Sequence, residues 1–151
     1  MRIKALTVWQ PWASLIAHGV KVFETRSWAT KWRGPLAIHA AGRWGRDIDM
    51  LVQRSPYPAL LAGLELRAET LPLGCVVCVV DLIDVIPARD VLVRISDGER
   101  RLGDFRPGRF AWELGNVRML KEPVYAKGTQ GLWWWDVPDR LGKKLNQRCL
   151  S

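Results

Sequence analysis

Apolar and polar positions along residues 5–40 change their period twice. Ala5 to Trp9 is a short apolar run that reads as a strand. Pro11, with a fixed φ and no N–H, then suits the first turn of a helix. Trp12, Leu15 and Ile16 fall at i, i+3 and i+4 and make one apolar stripe, which predicts a helix to about His18 with Gly19 as its left-handed stop. From Lys21 the period becomes two. Val22, Glu24 and Arg26 alternate with Lys21, Phe23 and Thr25 in a strand that ends near Ser27. A regular strand would turn Lys21 away from Glu24 and Arg26. Two residues past a helix-ending glycine, however, strand geometry has barely begun, and the lysine can still turn towards Glu24.

Beyond that strand, residues 28–35 read as a loop that interleaves Trp28 and Trp32 with Lys31 and Arg33, and Leu36 to Ala40 reads as a buried strand carrying His39. Arg43 to Arg54 permits a helix, Pro56 and Pro58 interrupt it, and Ala59 to Glu69 predicts another short one. Gly74 to Ile86, rich in Val, Ile and Cys, predicts a central strand. Residues 96–108 have the glycine, proline and charge content of a mobile surface loop. Arg109 to Leu114, Val117 to Leu120 and Leu132 to Val137 are further strand candidates. Trp133, Trp134 and Trp135 alternate faces, so one is expected in the core and one outside. The basic segment from Arg140, with Lys143, Lys144 and Arg148, is expected to be a loosely held, solvated tail. About five to seven short strands without a βαβ rhythm, with two or three helices, predict an α+β domain on a small mixed or antiparallel barrel.

Composition narrows the function more than the fold. A length of 151 residues predicts one domain that buries a core without a disulfide or metal staple. A net charge of +8 tilts the expectation towards a polyanionic partner, since Lys and Arg gain by displacing counterions from phosphates. Nine Trp residues add stacking surfaces. Cys75 and Cys78 have C-x-x-C spacing, but a regular strand would point them to opposite faces, and no second pair or His-x-His cluster supplies further ligands. They are expected to be core thiols, with no metal and no cofactor. No uninterrupted apolar stretch is long enough for a membrane span, and the N-terminus lacks the apolar run of a signal peptide, so a cytoplasmic protein is expected. Glycine-rich phosphate loops, H-E-x-x-H and G-x-S-x-G are all missing.

The chemistry therefore concentrates at Lys21, Glu24 and Arg26, charges of both signs inside an apolar and aromatic run. They read either as one wall of a binding site or as an ion-pair network that pins the fold. His39, on an apolar strand, reads first as a core histidine.

These residues carry a resemblance. Leu6-Thr7-Val8-Trp9-Gln10-Pro11-Trp12-Ala13, Gly19-x-Lys21-x-x-Glu24-x-Arg26-Ser27-Trp28 and Arg33-Gly34-Pro35-Leu36-x-Ile38-His39-Ala40 resemble the ASCH domain, as do Gly74-Cys75-Val76 through Asp81, Phe110-Ala111-Trp112-x-Leu114 and Gly128-x-Gln130-Gly131-Leu132-Trp133. The resemblance covers most of residues 3–137, which gives an ASCH domain over 1–138 and a basic tail over 139–151. It implies a PUA-like β-barrel with flanking helices and a cleft where the G-x-K-x-x-E-x-R strand meets the first helix. Family members are implicated in binding RNA or DNA, some are described as ribonucleases, and one bacterial branch hydrolyses N4-acetylcytidine with a Lys-Thr-Glu set.

The expected partner is thus RNA, single-stranded nucleic acid or a nucleoside, with no membrane. Arg26, Lys31, Arg33 and Arg43 are placed on phosphate, Trp12 or Trp28 under a base, and Glu24 with Gln10 on a base edge or a 2′-hydroxyl. Ser27 and His39 complete the candidate set. The alternative is metal-independent hydrolysis of a phosphodiester or an acylated cytosine. In it Lys21 acts as base or charged stabiliser, Glu24 as general acid/base, and Thr25 or Ser27 as a hydroxyl. The carry-over to the amidohydrolase branch is incomplete. Lys21 matches its lysine, but its threonine position holds Glu24, with Thr25 one place later, and Asp81 is only a candidate for the third member.

Overall fold

In the computed structural model, which describes residues 1–145, the first strand, β1 (Arg2–Val8), lies parallel to β3 (Gly34–Ala40) with Thr7 opposite His39. The crossover between them carries α1 (Trp12–Ala17) and β2 (Phe23–Arg26). After β3 come α2 (Arg46–Leu51), α3 (Tyr57–Gly63), a 3₁₀ turn (Ala68–Thr70), β4 (Cys75–Pro87), α4 (Ala88–Val91), α5 (Asp97–Arg100), β5 (Phe110–Tyr125), β6 (Leu132–Asp136) and α6 (Asp139–Leu145). The strands form one mixed sheet in the order β2-β5-β4-β3-β1-β6, curled into a half-barrel, which is the PUA-like α+β fold. All pairs except β1 with β3 are antiparallel. Among the described residues six helices flank it, more than the two or three expected, because turns of four to seven residues are too short to leave a periodic apolar stripe.

β4 is central and covered on both faces, as its continuous apolar run requires. Val77, Cys78, Val80 and Leu82 pack with Ala13, Ile16 and Trp112, while Val76 and Val79 pack on the other side with Ala5, Trp135 and Leu145. Cys75 belongs to the same cluster as Cys78, which corrects the expectation of opposite faces. The pairing of β4 with β5 shifts register between Val76 and Cys78, and that irregularity adds the residue that restores Cys78 to the side of Cys75. Both thiols are free and buried, and burial pushes Cys78 up to about 12. They are packing groups, and Cys149 lies outside the described residues.

Three other segments differ from the sequence reading. Residues 110–125 form one strand rather than two, bent where Asn116 takes a φ of 48°. The helix expected over 59–69 ends at Gly63, and Glu65, at a φ of 57°, turns the chain away. The segment 96–108 is docked rather than mobile. Ser96 caps α5 by accepting from the Glu99 N–H, and Glu99, Leu102 and Phe105 are buried. The Glu99 carboxylate accepts the N–H groups of Val22 and Phe23, so it anchors the start of β2. The expected tail is also partly structured. α6 continues the chain, Lys143 and Lys144 face solvent, and Leu145 is buried in the core, while Arg148 lies outside the described residues.

Candidate nucleic-acid interface

The strand β2 brings the mixed-charge motif to the edge of the sheet, and the docked 96–108 segment faces it. Between them lies an open hollow of about 430 Å³, lined by Glu24, Thr25 and Arg26, by the rings of Trp9, Trp12 and Tyr57, and by Arg101, Leu102, Gly103, Asp104 and Arg109. Trp12 stands edge-on to Tyr57 with ring centroids 6.2 Å apart, and its Nε1 donates to the Tyr57 hydroxyl at 3.0 Å. Burial pushes the Tyr57 phenol above its ordinary value, so its O–H stays available to donate. Trp9 is 46% exposed, an uncovered ring at the mouth.

Arg26 Nη2 donates to the Thr7 carbonyl at 2.8 Å and to Glu24 Oε2 at 3.0 Å, while Glu24 Oε1 accepts the Thr25 N–H at 2.9 Å. Thr25 Oγ1 in turn accepts the Asp104 N–H at 3.0 Å, and Arg109 donates to the carbonyls of Asp104 and Thr25. Asp104 is held down at about 2, first by its hydrogen bond from the Arg106 side chain, so this rim carboxylate stays ionised through the whole neutral range. Three guanidinium groups thus surround two carboxylates. The mixed-sign wall can both accept and donate at close range.

Lys21 sits behind that wall and does not line the hollow. It is 1% exposed, and Nζ donates to the carbonyls of Phe23 at 2.6 Å and Leu102 at 3.0 Å, with Glu24 Oε1 3.8 Å away. The expected turn of Lys21 towards Glu24 occurs, but it joins the docked segment to β2 instead of meeting solvent. Burial pulls its pKa below the ordinary 10.5, opposed by the nearby Glu24 and Glu99 carboxylates.

A second hollow, about 1010 Å³, opens on the other side of Trp9 and Arg26, which line both. Thr7, Trp28, His39, Arg43 and the 126–131 loop line it too. His39 Nε2 meets the Ala126 carbonyl at 2.6 Å, so Nε2 carries the proton and Nδ1 accepts from Thr7 Oγ1 at 3.1 Å. Trp133 Nε1 donates to that Thr7 oxygen at 3.2 Å, which completes a chain from β6 through β1 and β3 to the loop. Burial lowers the His39 pKa.

Other predicted site residues lie elsewhere. Gln10 is 1% exposed, and its amide is committed to Ser14 and to the Pro72 carbonyl, so it is a buried tie rather than a base reader. Trp28 lines the second hollow, with its ring edge-on to the buried Trp112 at 4.9 Å. Trp32 packs on the core and stands edge-on to Trp134, so the interleaved loop sets its rings under the barrel. Lys31, Ser27 and Arg33 are exposed and line neither hollow, and Arg33 pairs with Asp84 at 3.3 Å. Asp81 is paired with Arg118 at 3.0 Å and Asn116 at 2.9 Å and lines neither hollow. Among the described residues no group of three His, Cys, Asp or Glu is gathered as for a metal, and no helix is long and apolar enough to cross a membrane.

Sequence reading missed Tyr57, Arg101, Asp104, Arg109 and Lys127. All five come from segments far from the motif in sequence. The one available signal was the spacing of Glu99, Leu102 and Phe105, three apart within a charged stretch, which marks a docked face.

A curled mixed sheet with flanking helices defines a domain of the PUA-like α+β class. The ASCH domain family model matches residues 6–124, and this chain belongs to that family. It is 31% identical over 140 residues to human activating signal cointegrator 1 and 29% identical to the mouse protein. Each match covers 92% of this chain but 23% of the relative, so the chain spans about a quarter of the length of those proteins. Among solved structures, the ASCH protein from Zymomonas mobilis superposes with a TM-score of 0.54 at 15% identity, covering 94% of this chain and 92% of that one. A tyrosine-to-phenylalanine mutant of the same Zymomonas protein gives the same TM-score, with 94% of each chain covered. At that identity the likeness shows the fold alone.

Proposed function

We propose that this domain binds RNA, single-stranded nucleic acid or a nucleoside in the hollow between β2 and the 96–108 segment. The observation that carries the reading is that Glu24, Thr25 and Arg26 form one wall of an open hollow faced by Trp9, Trp12 and Tyr57. A base stacked on one of these rings gains about 1–3 kcal/mol, and every base offers a π face. Arg26, Arg101 and Arg109 supply donors for a phosphate or a base acceptor. Glu24 has lone pairs left after its two contacts and takes a base amino group or a 2′-hydroxyl. The association of the ASCH family with RNA binding supports the same reading.

The alternative, metal-independent hydrolysis as a ribonuclease or an N4-acylcytidine amidohydrolase, draws less support from the geometry. It needs Lys21 at the substrate, and Lys21 is spent on two carbonyls behind Glu24. Incubation with RNA and with N4-acetylcytidine in EDTA is expected to leave both unchanged, and turnover of either would restore the hydrolase. For binding, the anisotropy of a labelled single-stranded RNA at low salt is expected to rise with protein, and to rise less with Trp9→Ala. A flat titration would overturn the reading.

A further inference from the structure

The two hollows share Trp9 and Arg26 as lining, and they differ in charge. The first mixes three Arg with Glu24 and Asp104. The second carries Arg26, Arg43 and Lys127 and, among the described residues, has no carboxylate in its lining. Mixed sign suits the edge of a base, which offers donors and acceptors together, whereas a uniformly positive wall suits a phosphodiester backbone. The second hollow, about 1010 Å³, is also at the upper end of the ~300–1,000 Å³ typical of small-ligand sites, more than one nucleoside fills. Its wall includes four glycines, and at Gly131 nothing lies within 4 Å of where a Cβ would stand, so main chain is open to close approach there. Arg26 stands between the hollows, tied to Thr7 of one and Glu24 of the other, with donors left over.

We propose that the hollows form one track and that the ligand is a single-stranded oligonucleotide rather than a free nucleoside. One base occupies the first hollow, its phosphodiester passes Arg26, and the adjoining nucleotide runs along Arg43 and Lys127, with the Trp9 ring as the platform shared between them. This rests on the binding function proposed above, from which it is separable by ligand length.

The test is displacement of a 5′-labelled random dodecaribonucleotide, followed by anisotropy, with unlabelled competitors of increasing length: the four ribonucleosides, the dinucleoside monophosphates and trinucleotides. Potency is expected to rise roughly tenfold or more from nucleoside to dinucleoside monophosphate and again to trinucleotide, as one added stack plus one phosphate contact gives. The double variant Arg43→Ala/Lys127→Ala, at two exposed positions, and separately Trp9→Ala, are expected to flatten that rise. Equal potency per molecule at every length, with the dodecamer still bound, would overturn the track and leave the first hollow as a nucleoside site. Failure of the dodecamer and of the nucleosides to bind would remove both.

Discussion

Lys21 Nζ and Glu24 Oε1 lie 3.8 Å apart, yet the lysine's hydrogen bonds go to the carbonyls of Phe23 and Leu102. The pair therefore divides the motif: the carboxylate faces the hollow, and the ammonium holds the hollow's opposite wall in place. Lys21→Met removes the donor for two buried carbonyls. It is expected to lower the free energy of unfolding by about 1–3 kcal/mol, measured in urea, through acceptors left unsatisfied. A variant as stable as the parent that loses RNA binding would instead make Lys21 a ligand contact.

Glu24→Gln tests the other half of the pair. The amide oxygen can still accept from Thr25, but Arg26 and Lys21 both lose the charge that neutralises them. A stability cost of up to about 3 kcal/mol is expected, smaller than for a sealed pair because Arg26 is partly exposed. RNA affinity is expected to fall several-fold as well. The check is a thermal melt beside an anisotropy titration, and a variant that binds as well as the parent would remove Glu24 from the site.

How much of this was legible depends on the range of the interaction that decides it. The strand-helix-strand order of residues 2–26 follows from local signals: a proline, a glycine stop and a change of period. The contact of Lys21 with Glu24 was accessible for the same reason. Its burial was not, because Leu102, eighty-one residues on, supplies the lid. Gln10 reads as a polar residue beside a tryptophan, and only the Pro72 carbonyl, brought over by the turn before β4, makes it a tie. Cys78 misled because a strand's period of two fails at a register shift that no local pattern announces. The docking of 96–108 was hidden by its charges, since solvent-facing Asp97, Arg100, Arg101 and Arg106 outnumber the buried Glu99, Leu102 and Phe105 that decide its placement only as neighbours of β2.

His39 makes the fold sensitive to mild acid. Burial lowers its pKa in the folded state below the ordinary 6.5, so near and below 6.5 the unfolded chain binds the extra proton first. The stability this group contributes is complete above about 6.5 and is lost as the pH falls towards the folded value. Urea midpoints taken downward from about pH 7.5 are expected to begin falling near 6.5, and His39→Gln is expected to flatten that step. A profile unchanged by the substitution would show that the ring does not carry it.

Gly128, in the same 126–131 loop, packs directly against that histidine. A Cβ there would stand 2.5 Å from Thr7 Oγ1 and 2.7 Å from both Cε1 and Nδ1 of His39, contacts that folded proteins essentially never show. Neither neighbour can yield cheaply, because Thr7 holds Trp133 and His39 together and His39 holds Ala126. In Gly128→Ala the loop must lift from the ring, and the 2.6 Å bond from Nε2 to the Ala126 carbonyl is expected to break. The ring then gains water, and its pKa, followed by NMR, is expected to rise back towards 6.5 as the desolvation that lowered it is relieved. RNA affinity is expected to fall in the same variant, since Lys127 moves with the loop, whereas an unmoved histidine signal would mean that the alanine is accommodated without displacing the chain.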